Sequence, residues 1–169
     1  MISEKMLNAL NEQIKLEMES SYAYIAMEAY FMGKNLDGFA NFFHIQAKEE
    51  RDHAYLLFNY VFQVGAQVEL KDLKAFDANF QSPLDVMEKT LAHEQLVTRS
   101  IHNLMDIAME EKDYASQAFL QWFIKEQVEE EETATALVEK MKLVGDNANG
   151  LFMMNAELGK RVYHPAVMN

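Results

Sequence analysis

The sequence predicts an all-α fold, a four-helix bundle with one long crossover between helices two and three and a short C-terminal fifth helix. Of its 169 residues only two are proline and six are glycine, while twelve are methionine. This composition favours helix over strands and turns. Apolar residues also recur every three or four positions along four long stretches, which is the spacing of one helix face. We therefore expect a single domain over residues 1–169, with the bundle at about 4–144 and the last helix at about 147–161.

The first two helices are bounded by a glycine and by a capping residue. The first is predicted over Glu4–Met32, directly before a glycine, with a core-facing stripe that includes Ile25 and Met32. Asp37 is predicted to be the N-cap of the second helix, because an aspartate side chain accepts hydrogen bonds from the free N–H groups of a first turn. That helix is expected to end near Val64.

The third and fourth helices have stronger start signals. Ser82 followed by Pro83 predicts a helix start, because serine is a good N-cap and proline is favoured at the first helical position. This helix is predicted to reach about Lys112. Asp113 is then predicted to cap a fourth helix that ends at Val144.

The connection between helices two and three is much longer than the others, which can only reverse the chain. Residues 65–82 can extend to roughly 60 Å, enough to follow a helix of this size from end to end. We therefore expect helices two and three to run parallel, as in bundles with a single crossover.

The predicted fifth helix is very apolar. Its large hydrophobic residues are Leu151, Phe152, Met153, Met154 and Leu158. On an isolated chain they would form an exposed patch, which is typical of an interface. The segment therefore favours association between copies of the chain.

Composition excludes several classes of function. The formal net charge is −12 and there is no cysteine. The negative charge argues against nucleic acid and anionic membranes as partners and suits cation handling. The lack of cysteine excludes disulfides and thiolate metal sites. No stretch approaches the ~20 apolar residues of a membrane span, and the first residues have no signal-peptide core, so we expect a cytoplasmic protein.

Each long helix carries a glutamate near the midpoint of its apolar stripe. These residues are Glu17, Glu50, Glu94 and Glu130. Helices of equal length bring their midpoints to one height whichever way they run, so the four carboxylates are expected to meet in one layer. Burying them ionised without a cation would cost several kcal/mol each. The sequence therefore predicts a metal site inside the bundle.

His53 adds an imidazole to this layer. It follows Glu50 by three residues and so shares its helix face. Oxygen ligands with one imidazole suit iron, manganese or zinc and exclude copper(I). A first ion would bind Glu17, Glu50 and His53. The other histidines are expected at the surface or at interfaces: His44, His93, His102 and His164.

A second ion would be held by Glu94 and Glu130, with Glu50 as a bridge. Gln127 lies one turn before Glu130 and is expected near this ion. The alternative interpretation is that some of these acids face solvent at the edges of their stripes.

Tyr24 lies two turns after Glu17 on the same face, within reach of the layer. It is expected to be an electron donor, a hydrogen-bond partner of a ligand or an ordinary core tyrosine. Acids that flank the layer suggest a third, weaker cation site; they are Glu49, Glu126 and Glu129. The alternative is that the glutamates at 129–132 form a solvated helix face.

These residues together resemble the non-haem ferritins of bacteria and archaea. The resemblance covers the whole chain and rests on Glu17, Tyr24, the EERDH segment at 49–53, Glu94 within AHEQ and the segment FLQWFIKEQVEEEE. It implies a shell of twenty-four subunits that oxidises iron(II) with dioxygen or hydrogen peroxide and stores an iron(III) mineral.

The resemblance also implies residue roles. The first iron site would be Glu17, Glu50 and His53, the second Glu50, Glu94 and Glu130 with Gln127 near it, and the third Glu49, Glu126, Glu129 and Glu130. It implies no haem, because Arg51 stands where a bacterioferritin has its haem-ligating methionine.

Two other functions compete with storage. A soluble di-iron oxidase or peroxidase would use the same layer, but would not need the apolar fifth helix. A structural helical protein would pair its buried acids with lysine or arginine, which the four stripes do not supply.

Overall fold

The computed structural model describes residues 2–168, and five α-helices cover most of them. Their bounds are α1 Glu4–Met32, α2 Asp37–Gln63, α3 Pro83–Glu110, α4 Tyr114–Val144 and α5 Ala148–Leu158. Helices α1–α4 form the bundle, and α5 packs against α2 and α4. The predicted all-α bundle with a short fifth helix is confirmed. Within residues 2–168, no helix is long and apolar enough to cross a membrane.

Side-chain caps begin α3 and α4 at the predicted residues. Ser82 Oγ accepts a hydrogen bond from the Asp85 amide at 3.0 Å, and Asp113 Oδ1 accepts one from the Ser116 amide at 3.1 Å. Helix α3 ends two residues before the predicted Lys112, which has a positive φ of 55°.

The start of α2 differs from the prediction. Asp37 is the first helical residue rather than the cap, and Leu36 at the N-cap has no capping side chain. The missing acceptor comes from α5, where Asn155 Oδ1 accepts hydrogen bonds from the Gly38 and Phe39 amides at 2.8 and 3.2 Å. A Cβ at Gly38 would lie 1.7 Å from the Asn155 carbonyl oxygen, so only glycine permits this approach.

Through this cap α5 contributes to the stability of the bundle. We expect Asn155→Ala to lower the free energy of unfolding by about 1 kcal/mol, the typical cost of losing a side-chain N-cap. The first turn of α2 should then exchange its amide hydrogens faster, as measured by mass spectrometry. Asn149→Ala on the exposed face of α5 is the matched control. Equal exchange in both variants would mean that the cap contributes nothing.

The crossover follows α1 in the same direction as that helix. Early in the segment the Glu69 amide donates to Asn11 Oδ1 at 3.2 Å, and later the Lys74 amide donates to Glu19 Oε1 at 2.8 Å. Near the end of the segment the Phe80 ring meets Tyr30, two residues before the end of α1, with centroids 5.3 Å apart. The chain is thereby carried along α1 towards its end. Helices α2 and α3 therefore run parallel, as predicted from the length of this segment.

Two apolar clusters fill the bundle, one on each side of its middle. In one cluster the ring of Phe31 stacks on Phe39 and Phe43, with centroids 4.8 and 5.6 Å apart. The other cluster includes Leu10, Leu57, Ile101 and Phe123. The layer between them is polar, and it lies at the midpoints of the long helices.

Part of the predicted core of α1 was wrong. Met27 and Phe31 are buried, whereas Ile25 and Met32 are exposed. The predicted stripe advanced in four-residue steps from Tyr24 towards Met32. Because a helical turn holds 3.6 residues, such steps drift off the buried face.

The apolar residues of α5 divide between the bundle and the surface. Met154 and Leu158 are buried in the cluster that contains Phe31. Phe152 and Met153 are 72% and 75% exposed. The prediction that all five apolar residues form one exposed patch was therefore wrong for Met154 and Leu158, because α5 packs on its own chain. Leu151 is half-buried against the same cluster.

Candidate metal centre

The polar layer contains one glutamate from each long helix. Glu17, Glu50, Glu94 and Glu130 are all buried. They therefore do not lie at solvent-facing edges of their helices, which removes the alternative interpretation for these four. Within the described residues, none of them forms an ion pair with a lysine or an arginine.

Glu17, Glu50 and His53 form the most compact group in this layer. One ligand atom from each residue lies within 4.8 Å of the other two. His53 Nδ1 is 3.5 Å from Glu50 Oε2, as the three-residue spacing on α2 requires. Three ligand atoms at these distances can surround a single ion.

Each residue of this group also has a buried oxygen or nitrogen atom that could bind a metal and lacks a hydrogen-bond partner in the described chain. Glu17 Oε2, Glu50 Oε2 and His53 Nε2 are buried and have no hydrogen-bond partner among residues 2–168. A buried polar atom without a partner costs about 1–3 kcal/mol, so native structures retain few of them. A cation bound by the two carboxylates would remove this cost. The residues therefore fit a metal ion, and two carboxylates with one imidazole suit iron.

Glu94 and Glu130 are held by hydrogen bonds to other side chains. Glu94 accepts one from the Tyr24 hydroxyl and one from the Gln127 amide, whose nitrogen is 3.2 Å from Oε2. Glu130 Oε2 accepts one from the Gln46 amide at 2.9 Å. Both glutamates therefore lie in the layer. Among the described residues, however, they do not belong to a group whose ligand atoms all lie within 4.8 Å of one another, as Glu17, Glu50 and His53 do.

Tyr24 is fully buried against the layer. Its hydroxyl donates to Glu94, and its ring meets His93 edge-on with centroids 5.9 Å apart. Burial and the charge of Glu94 raise the pKa of Tyr24 well above its usual value, so the hydroxyl keeps its proton. Of the predicted roles, this geometry is that of a hydrogen-bond partner of a carboxylate in the layer.

Burial raises the pKa values of Glu17, Glu50 and Glu94. The pKa values of Glu17 and Glu50 lie well above their usual range because of lost hydration and, next, the charge of a neighbouring carboxylate. Burial and the charge of Glu130 raise the pKa of Glu94 to about 7. The metal-free layer therefore holds protons at neutral pH, and a bound cation would displace them.

The acids predicted to form a third site are not gathered together. Glu49 Oε2 lies 2.7 Å from Nη2 of Arg161, a residue beyond α5. Glu126 Oε1 lies 3.9 Å from His53 Nε2, and Glu129 is exposed. Burial raises the pKa of Glu49 to about 7 despite the opposing charge of Arg161.

Sequence reasoning missed two glutamines that hold carboxylates of the layer by hydrogen bonds. Gln13 Nε2 donates to Glu17 Oε1 at 2.9 Å, and Gln46 donates to Glu130. Each glutamine lies four residues before a predicted ligand on its own helix, Glu17 or Glu50. That spacing puts the two side chains on one face and was the available signal.

His93 is half-buried and contacts α1. It was expected at the surface or at an interface, but its Nε2 lies 2.7 Å from Ser20 Oγ. Burial lowers the pKa of His93, so its ring is neutral at physiological pH. It belongs to the packing beside Tyr24.

Several known proteins are similar to this chain in sequence and in fold. A family profile described as a ferritin-like domain matches residues 7–144. The chain is 42% identical over 163 residues to a bacterial non-heme ferritin of Staphylococcus aureus, covering 96% of this chain and 98% of that protein. It is 41% identical, with the same coverage, to one from Staphylococcus haemolyticus. An open pore ferritin from the hyperthermophilic archaeon Archaeoglobus fulgidus superimposes with a TM-score of 0.95 at 42% identity, over 96% of this chain and 99% of that one. A humanized archaeal ferritin gives 0.96 at 43% identity, over 98% and 100%.

Proposed function

The chain belongs to the family of ferritin-like domains, and from this membership we propose that it stores iron. Iron(II) enters the bundle as the substrate and is oxidised at the carboxylate layer, with dioxygen or hydrogen peroxide accepting the electrons. The iron(III) is kept as mineral inside a shell of twenty-four copies, and no haem takes part. The observation that carries this proposal is the group Glu17, Glu50 and His53, whose buried ligand atoms include three without a hydrogen-bond partner among residues 2–168.

The residues of the layer form two iron-binding sites. Glu17, Glu50 and His53 bind the first iron(II), and the imidazole makes this site the tighter one. Glu94 and Glu130 bind the second iron(II), with Glu50 between the two ions. Negatively charged oxygen ligands favour iron(III) over iron(II) because they stabilise the higher charge, so loss of an electron is promoted at both sites.

Residues around the ligands keep the carboxylates in position. Tyr24 and Gln127 donate to Glu94, and Gln13 donates to Glu17. Such partners orient ligands and typically change metal affinity or activity by about 10–100-fold. The buried layer also excludes bulk water, which strengthens the attraction between the carboxylates and the ions.

Iron loading of the purified protein tests storage against the competing di-iron oxidase. We expect light scattering to give the mass of about twenty-four chains, and electron microscopy to find a dense core inside shells after iron(II) is added in air. A monomer or dimer that oxidises iron(II) and leaves iron(III) outside the protein would contradict storage and favour a soluble oxidase.

Phe152 and Met153 provide the matched variant for this experiment. Because both are exposed on the single chain, changing both to serine should weaken the shell while helix content by circular dichroism stays unchanged. The variant should retain oxidation of iron(II) and lose much of its stored mineral. Parent-like shells in this variant would exclude α5 from the assembly contacts.

A further inference from the structure

The segment that follows α5 lies along α2 and reaches the edge of the carboxylate layer. Asn41 Nδ2 on α2 donates to the carbonyl oxygens of Leu158 and Arg161, at 3.2 and 3.0 Å. On the turn of α2 that carries Glu50 and His53, the Tyr163 hydroxyl donates to Asp52 Oδ2 at 2.5 Å. These contacts hold the backbone on both sides of Arg161.

The guanidinium of Arg161 makes three contacts with α2. Nη2 lies 2.7 Å from Glu49 Oε2, and Nη1 donates to Gln46 Oε1 at 2.5 Å. Its central carbon lies 4.7 Å from the centroid of the Phe42 ring. The side chains of Arg161 and Glu49 are only 29% and 16% exposed, so solvent screens this ion pair less than one at the surface.

Gln46 connects this ion pair to a ligand. Its amide oxygen accepts from Arg161 while its amide nitrogen donates to Glu130 Oε2 at 2.9 Å. The two bonds require opposite ends of one amide, so they fix its orientation. The position of Glu130 therefore depends on a residue outside the four long helices.

We propose that Arg161 is the resident counter-ion of Glu49, which a metal cation must displace before it can bind at the flanking acids. This inference rests on the proposed function, because those acids adjoin the iron-oxidising layer. A guanidinium and a divalent cation repel each other and compete for the same carboxylate. The third site therefore fills after the first two. Its filling loosens the segment that carries Arg161, which the bonds to Asn41 and Asp52 continue to hold on α2.

Calorimetric titration of the assembled, metal-free protein with zinc(II), which has no redox chemistry, tests this order. Arg161→Gln should tighten the weakest class of zinc sites by about tenfold, since a charge-assisted hydrogen bond no longer competes for Glu49. Binding at the Glu17, Glu50 and His53 site should not change. Lys160→Gln removes the same charge one residue earlier, from an exposed side chain, and should change neither class.

Hydrogen exchange of residues 160–167 separates a counter-ion from a purely structural anchor. Zinc(II) beyond two ions per chain should speed exchange in this segment of the parent protein. Glu49→Gln should abolish both that response and the effect of Arg161→Gln on zinc affinity. If Arg161 only anchors the segment and is not a counter-ion, Arg161→Gln should speed hydrogen exchange in residues 160–167 and leave the zinc isotherm unchanged.

The zinc isotherms decide the inference. The inference is supported if Arg161→Gln binds zinc(II) at three sites and the weakest site is tighter than in the parent, or is detectable only in the variant. A third site that is unchanged, weakened or absent from both proteins overturns it. Failure of the parent to bind zinc(II) at the layer, with no change in His53→Ala, would contradict the proposed function instead.

Discussion

Replacing His53 with alanine is expected to slow the rapid oxidation of iron(II) by about a hundredfold or more. Even the loss of a residue that only hydrogen-bonds to a metal ligand lowers metal affinity or activity by up to about a hundredfold. His53 supplies the imidazole of the compact group formed with Glu17 and Glu50. Without it, two carboxylates remain to bind the first ion. The initial rate of oxygen consumption, at no more than two iron(II) per chain, measures this effect without a contribution from the mineral surface.

His102→Ala is the matched control for this variant. His102 is exposed on α3, so its loss should change neither the rate nor the assembly. Both variants should keep the helix content and mass of the parent. If His53→Ala oxidised iron(II) at the parent rate, the first site would have been assigned to the wrong residues.

Replacing Glu94 with glutamine is expected to stabilise the metal-free protein at neutral and higher pH while it weakens binding at the second site. Burial and the charge of Glu130 raise the pKa of Glu94 to about 7, above its usual value of 4.5. The folded chain therefore retains a proton that the unfolded chain releases. The stability that this proton contributes is complete below pH 4.5 and is lost as the pH rises through 7.

Glutamine keeps the shape of Glu94 but carries no charge at any pH. Its variant should therefore lose less stability between pH 5 and pH 8 than the parent, by on the order of 1–3 kcal/mol, since one pKa unit corresponds to about 1.4 kcal/mol. Thermal unfolding of the metal-free protein at several pH values measures the difference. Zinc(II) should reverse the order and stabilise the parent more.

Glu132→Gln provides the control, because Glu132 is an exposed residue of the same acidic region. It should follow the pH dependence of the parent. A large loss of metal-free stability in Glu94→Gln at pH 8 would show that Glu94 is mainly a structural partner of Tyr24 and Gln127. That outcome would favour the structural interpretation of the buried acids over the metal site.

Much of the fold was determined by patterns that act within a few residues. The caps at Ser82 and Asp113 were confirmed because each bonds an amide three residues away. The parallel direction of α2 and α3 followed from the length of residues 65–82. The resemblance to non-haem ferritins, which rested on local segments such as EERDH, is confirmed by relatives at 42% identity.

The carboxylate layer was predictable for the same reason. Glu50 and His53 share a helix face by spacing alone, and glutamates at helix midpoints reach one height in any bundle of equal helices. The sequence alone therefore determined which residues form the layer. Their pairing within it depended on the surrounding chain.

Only the tertiary structure decided the contacts between distant segments. Asn155, rather than Asp37, caps α2, and Arg161 forms an ion pair with Glu49. Both partners come from beyond α4, more than a hundred residues along the chain. Local spacing carries no information about such pairs, because they form only when packing of the helices brings the C-terminal segment onto α2.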